Sequence, residues 1–124
     1  ATALREWKPL AEQGNASAQF NLGVMYRDGK GVPQNDKTAV KWYRLAAEQG
    51  HASAQGNLGA MYAFGIGVLK DYVYAHMWGN LAAMNGNKLG AKLRDDFEKK
   101  MTPADLSTAQ KLARECVRKK YKGC

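Results

Sequence analysis

The chain has 124 residues, of which 45% are hydrophobic and 24% are charged, and this composition excludes a disordered chain. The formal net charge is +8, and most of it lies near the C-terminus: residues 1–87 hold 8 basic and 6 acidic side chains, whereas residues 88–124 hold 11 and 5. No apolar run approaches the roughly 18 residues of a membrane span, so we expect none.

The first predicted element is a helix within residues 1–14. Residues 11–14 have the same pattern as residues 47–50, at the end of a repeat described next. We therefore expect residues 1–14 to be the second helix of a truncated repeat, and residues before Ala1 to have been lost. The helix would then have an open apolar edge that favours self-association. The candidates for this edge are Leu4, Trp7 and Leu10.

The centre of the chain consists of two copies of one unit. Residues 15–50 align with residues 51–86 without a gap, and 18 of the 36 positions are identical. Such a period is typical of stacked helical repeats, whose units bury their apolar faces against each other. Four aromatic residues recur in register, and we predict that they belong to the core rather than to a base-stacking platform. They are Tyr26, Trp42, Tyr62 and Trp78.

Each unit is predicted to be a helix pair. In the first unit, Asn15 is a suitable N-cap for a helix of about 16–27, and Gly29 ends it. Asn35 or Asp36 then caps a helix of about 37–48. Small residues such as Gly23 allow close approach of a neighbouring helix.

The repeat resembles the Sel1-like repeat, a relative of the tetratricopeptide repeat. The resemblance is carried by A-x-A-x-x-x-L-G-x-x-Y-x-x-G-x-G-V followed by A-x-x-W-Y-x-x-A-A-E-x-G. It implies an all-α fold, a right-handed α-α superhelix forming one solenoid domain over residues 1–124, in a bacterial protein. One departure is Gly79, which stands where the first unit has Tyr43; we expect it to loosen packing in the second repeat.

Residues 87–124 leave the repeat pattern but remain helical. Apolar residues recur every four positions from Leu89 to Met101, and Thr102 and Pro103 form a helix start. We predict a capping helical unit with a basic tail. Its basic patch comprises Arg114, Arg118, Lys119, Lys120 and Lys122.

No motif for catalysis, metal binding or cofactor binding is convincing. The G-x-G segments recur in register without a preceding strand, so they indicate helix-ending loops rather than phosphate sites. His76 is better explained as a packed histidine than as a general base. We therefore predict a protein that is not an enzyme, with no catalytic residue, metal or cofactor.

The two cysteines, Cys116 and Cys124, are predicted to form a disulfide that holds the tail against the preceding helix. A disulfide would place the protein in the periplasm or outside the cell. Two free thiols in a cytoplasmic protein are the alternative.

A partner-binding groove is predicted on the concave side, where the first helix of each unit presents a shared face. Asn21 and Asn57 recur there, and an amide can pair with the backbone of a bound peptide. The alternative is that Phe20 and Val24 pack on a neighbouring helix. The predicted groove residues are Ser17, Phe20, Asn21, Val24 and Arg27 in the first unit and Ser53, Gly56, Asn57, Ala60 and Ala63 in the second.

These observations predict a non-enzymatic adaptor or scaffold with a protein or peptide partner, which is the role that the Sel1-like resemblance implies. The first alternative is binding of an anionic polymer or membrane surface through the basic C-terminal helix, although nucleic acid is not the expected partner. The second alternative is a cell-envelope hydrolase or cell-wall-fragment binder. Cysteine-rich bacterial relatives suggest it, but residues 15–86 contain no cysteine.

Overall fold

The computed structural model describes residues 2–124, with side chains from Ala3 onward; the expectation about Ala1 lies outside this range. The described part forms seven α-helices and no strand, which confirms the all-α prediction. The helices are α1 (Thr2–Glu12), α2 (Ala16–Asp28), α3 (Asp36–Ala47), α4 (Ala52–Phe64), α5 (Tyr72–Met84), α6 (Lys88–Glu98) and α7 (Pro103–Arg118). The two predicted helices of the first unit correspond to α2 and α3 within one residue.

Side-chain caps fix the start of each repeat helix. Asn15 accepts a hydrogen bond from the Ala18 amide at 2.9 Å, and Asn35 accepts one from Thr38 at 3.0 Å. Asn35 rather than Asp36 is therefore the cap of α3. At the other end of α2, Gly29 has a φ of 68°, a left-handed conformation in which its amide bonds back to the Met25 carbonyl.

Close helix packing within the first repeat depends on Gly23. A Cβ atom added to Gly23 would lie 2.6 Å from two ring carbons of Tyr43, a fully buried residue on α3. The ring of Tyr43 thus fills the space that the missing side chain leaves. This confirms the predicted role of the small residue in close helix approach.

Gly79 does not loosen the second repeat, contrary to expectation. A Cβ on Gly79 would lie 3.0 Å from the carbonyl oxygen of Gly90, and a Cβ on Gly90 would lie 2.7 Å from that of Gly79. The backbones of α5 and α6 therefore meet at two glycines. Replacement of the tyrosine by glycine in the second unit makes room for a whole helix, α6.

Two buried glutamine amides, one in each repeat, hydrogen-bond each repeat to the segment before it. Gln19 on α2 donates to the Ala11 carbonyl at 3.1 Å, and Gln55 on α4 donates to the Ala47 carbonyl at the same distance. The oxygens of these two amides accept hydrogen bonds in turn. Their donors are Gln49 for Gln19 and Asn85 for Gln55, each at 2.9 Å. Each residue of the first set has its equivalent 36 residues later in the second set, so the same hydrogen-bond arrangement occurs twice.

The predicted core aromatics differ in depth. Trp78 is fully buried, whereas Tyr26, Trp42 and Tyr62 are only half-buried. Trp42 packs on a small cluster between α1 and α2, and Trp78 belongs to the central cluster between α3, α4, α5 and α7. Trp78 is covered more completely than Trp42 because residues of α7 join its cluster.

The C-terminal helices complete the stack in different ways. α6 packs on α4 and α5, continuing the row of first helices. Thr102 caps α7 by accepting from the Asp105 amide, as predicted, and Pro103 occupies the first turn. α7 packs on α5, and its Ala113 and Cys116 enter the central cluster.

Candidate functional site

On α2, most of the predicted groove residues reach the surface. Ser17 is exposed, and Asn21, Val24 and Arg27 are half-buried. Phe20 is instead engaged in packing, because its ring lies 4.9 Å from the ring of His51, in a stacked arrangement. The alternative considered for Phe20 and Val24, packing on a neighbouring helix, describes this contact. Val24 also packs against the central cluster while staying half-buried.

On α4, two of the predicted groove residues are buried. A Cβ on Gly56 would lie 2.6 Å from the Oδ1 atom of Asn87 at the start of α6, and Ala63 is fully covered in a cluster with Leu93 and Phe97. These two positions cannot line an open groove because α6 lies on them. The other three predicted residues of α4, which are half-buried, are Ser53, Asn57 and Ala60.

The accessible part of the predicted site is a surface formed by the first two repeat helices, here called the first-helix face. It comprises Ser17, Asn21 and Val24 on α2 and Ser53, Asn57 and Ala60 on α4. Residues 17, 21 and 24 follow helical spacing, and so do residues 53, 57 and 60, so each helix contributes one stripe. The Asn21 amide makes no side-chain hydrogen bond with the described residues, whereas the Asn57 amide lies near the Tyr43 hydroxyl and affects the pKa of that group.

Charged and polar groups surround the edge of this face at the end of α2. Arg27 is hydrogen-bonded to Asp28 at 2.9 Å; this bond raises the pKa of Arg27 and lowers that of Asp28. The hydroxyl of Tyr43 is buried without a hydrogen bond. Burial raises the pKa of Tyr43, while the nearby Arg27 charge and the Asn57 amide partly offset that rise.

His51 was not anticipated as part of this region. Its Nδ1 atom accepts a hydrogen bond from the Ala54 amide at 3.2 Å, so His51 is the N-cap of α4. Partial burial lowers the pKa of His51, which favours the neutral ring that can accept this bond. The alignment of the two units could have predicted this cap, because His51 occupies the position of Asn15, the cap of α2.

The predicted disulfide is present between Cys116 and Cys124. It holds the tail in a turn that crosses toward the first repeat. There, the Gly123 amide donates to Glu48 Oε2 at 3.0 Å, and a Cβ on Gly50 would lie 3.1 Å from the Tyr121 ring. The tail thus fastens α7 to the end of α3.

The five residues of the basic patch are all exposed. Arg114 and Arg118 lie on α7, but Lys119, Lys120 and Lys122 belong to the turn that follows, where Lys120 has a φ of 55°. The patch therefore spans a helix end and a turn, and is not a single helix face. Among the described residues, no helix is both long and apolar enough to cross a membrane.

The apolar edge of α1 is smaller than expected. Leu4 and Trp7 are half-buried against the α1–α2 cluster, and Leu10 is 41% exposed. Self-association through this edge remains a prediction.

His76 is buried, as a packed histidine should be. Its Nε2 atom lies 3.0 Å from Glu98 Oε1, which joins α5 to the end of α6. Within residues 2–124, no group of three or more His, Cys, Asp and Glu side chains is placed to hold a metal ion.

Stacked helix pairs with one surface per unit define the chain as an α-solenoid repeat protein. The family model of the Sel1 repeat matches residues 16–51 and 52–87, more than half of the chain. The chain therefore belongs to the Sel1 repeat family, whose members are helical repeat modules for protein interaction.

Two solved bacterial structures are similar. A protective antigen present in uropathogenic Escherichia coli strains, displaying an SLR fold, is 36% identical with a TM-score of 0.90; the match covers 95% of this chain and 26% of that chain. This chain thus spans about a quarter of the length of that protein. A Sel1 repeat protein from Oxalobacter formigenes is 41% identical with a TM-score of 0.73, over 75% of this chain and 70% of that chain. No curated protein matches the chain significantly.

Proposed function

We propose that this chain is a non-enzymatic interaction module that binds an extended or helical segment of a partner protein across the first-helix face. The observation that carries the proposal is the pair Asn21 and Asn57. They lie 36 residues apart at equivalent positions and are half-buried. The Asn21 amide has no described side-chain partner, and the Asn57 amide, which lies near the Tyr43 hydroxyl, keeps its carbonyl oxygen and a second N–H for a ligand. An amide offers both a donor and an acceptor, which is what a peptide backbone requires.

The surroundings of the two amides suit a peptide. Val24 and Ala60 supply apolar contact beside the polar groups, and Ser17 and Ser53 leave room for side chains of the ligand. A repeated surface of this kind can contact successive parts of one segment. Phe20 supports the surface from below through His51 and is not assigned to the contact set.

The family context supports a role without catalysis, because Sel1 repeat proteins are generally non-catalytic protein-binding scaffolds. The comparisons lend no support to an anionic-polymer binder or to a cell-envelope hydrolase. The Cys116–Cys124 disulfide favours a compartment outside the cytoplasm, where such bonds persist. We therefore place the interaction in the periplasm or outside the cell.

Site-specific cross-linking tests the proposal. A photoreactive residue replacing Ser53 should capture a partner protein in the native cell, and the same residue replacing the exposed Gln110 on α7 should not. The variant Asn21→Ala/Asn57→Ala should weaken capture. Two neutral hydrogen bonds at about 0.5–1.5 kcal/mol each correspond to roughly a 5- to 150-fold loss of affinity. Equal capture from both positions, or no effect of the double variant, would refute the proposal.

A further inference from the structure

The outer side of α6 carries a groove of about 420 Å³ that the first-helix face does not include. We call it the α6 groove. Its floor is formed by Leu93 and Phe97, which are nearly buried, and its walls are more exposed. The residues that line it are Phe64, Leu89, Lys92, Leu93, Asp96, Phe97 and Lys100.

The α6 groove lies at a position that is covered by the next first helix in the two earlier units. Lys92 on α6 is 36 residues after Gly56 and 72 after Phe20. On α2 and α4, that position contacts the start of the next first helix: Phe20 stacks on His51, and Gly56 lies against Asn87. On α6, the same position is open, because α7 packs on α5. The α6 groove thus continues an interface that receives a helix twice within this chain.

Two exposed apolar residues of the groove stand at positions that are polar in earlier units. Leu89 is 44% exposed at the position held by Ser17 and Ser53, and Phe64 is 62% exposed at the position held by Asp28. The Phe64 ring meets the Phe97 ring edge-on at 5.6 Å. Large apolar residues therefore replace polar ones at these two positions, whereas the charged Lys92 and Asp96 stand where the first unit has Phe20 and Val24.

The rim of the groove is basic. The Nζ atom of Lys100, a lining residue, lies 5.4 Å from the centroid of the Phe97 ring. Lys70 lies beside the groove: its Nζ atom is 5.0 Å from the centroid of the Tyr72 ring, which is itself 5.2 Å from the Phe97 ring. Lys92 forms an exposed ion pair with Asp96 at 3.7 Å. Asp96 is the one carboxylate among the residues that line the groove. An apolar floor with a positive rim complements an acidic amphipathic helix.

We propose that the α6 groove binds an acidic amphipathic helix of a partner protein. An apolar side chain of that helix inserts between Phe64 and Leu89, and carboxylates on its flanks approach Lys100 and Lys70. This is a second surface, independent of Asn21 and Asn57, so either site can fail without the other.

The test uses the full chain and a synthetic peptide probe of about 15 residues, with leucine at i, i+3, i+4 and i+7 positions and glutamate on the flanks. Amide resonances of the ¹⁵N-labelled protein should shift in α6 and around Phe64. The variant Phe64→Asp/Leu89→Ser installs the residues of the equivalent repeat positions, so it should fold normally. It should weaken binding at least about tenfold. Leu10→Ser, an equally exposed leucine on α1, is the matched control and should bind as wild type.

Several outcomes would overturn the proposal. One is the absence of shifts in α6 at millimolar peptide, and another is equal binding of a peptide with lysine in place of glutamate. Binding to phosphatidylglycerol vesicles but not to the peptide would assign the groove to a lipid surface instead. A dimer in sedimentation that Leu89→Ser abolishes would assign it to a second copy of the chain.

Discussion

The ring of Tyr43 lies against the backbone of Gly23, so close that a Cβ on the glycine would sit 2.6 Å from two ring carbons. We expect Gly23→Ala to lower the free energy of unfolding by about 1–3 kcal/mol, because a packed core resists added volume. Urea unfolding measures the loss. In a Tyr43→Leu background the same substitution should cost much less. An equal cost in both backgrounds would show that the ring is not the obstacle.

The buried amide of Gln55 offers a second test. Gln55→Leu keeps the approximate volume but removes the hydrogen bond to the Ala47 carbonyl and one of the two acceptors of the Asn85 amide, the other being the Tyr121 hydroxyl. The expected loss of unfolding free energy is about 1–3 kcal/mol, since a buried carbonyl becomes unsatisfied. Gln110→Leu, on the exposed side of α7, is the control and should be nearly neutral. A neutral Gln55→Leu would mean that the amide bridge adds nothing to stability.

His51 should make stability depend on pH. Burial lowers the pKa of His51 from the ordinary value of 6.5 in the folded protein. At a pH between the pKa values of the folded and unfolded states, the unfolded chain therefore binds more protons. The stabilisation by the neutral cap is complete at pH values above the pKa of His51 in the unfolded chain. It is lost as the pH falls through the lower pKa of His51 in the folded protein. His51→Asn, which copies Asn15, should remove this part of the pH dependence.

The measurement compares urea unfolding of wild type and His51→Asn at about pH 7.5 and about pH 5.5. Wild type should lose up to about 1 kcal/mol more than the variant on acidification, the scale of one N-cap in a partly exposed setting. Parallel losses in both proteins would contradict the assignment.

The disulfide should stabilise the whole stack because the tail that it holds contacts α3. Cys116→Ser/Cys124→Ser frees a loop with a sequence separation of 8. Chain entropy predicts a loss of about 2–3 kcal/mol. Thermal and urea unfolding measure this loss, and intact mass before and after reduction, with a gain of two hydrogen atoms, confirms the bond in the parent. An unchanged unfolding midpoint would show that the tail does not stabilise the fold.

The periodic features of the fold could be predicted from the sequence. Asn15, Asn35 and Thr102 are caps whose effect is local, and the 36-residue repeat fixes which residues share an environment. These predictions needed no knowledge of how one helix pair is placed on the next.

The surface was harder to predict because exposure depends on the neighbouring unit. Gly56 and Ala63 share a helical face with Ser53, yet α6 covers them, and only the position of α6 decides this. The role of Gly79 was misjudged for the same reason, since the backbone of α6 occupies the space of the missing ring. The buried hydrogen bonds of Gln19 and Gln55 were not predicted, although a long polar residue repeated amid alanines is a signal of such a bond.

The two equivalent hydrogen bonds of Gln19 and Gln55 also bear on how repeat units can be added to or removed from the chain. At the two junctions before α2 and before α4, the earlier segment supplies a carbonyl acceptor and the later unit supplies an amide, at a fixed spacing of 36 residues. A duplicated unit would meet a complementary connection at both ends. Insertion or loss of whole units during evolution, or by engineering, can therefore lengthen or shorten the array while every junction keeps its geometry.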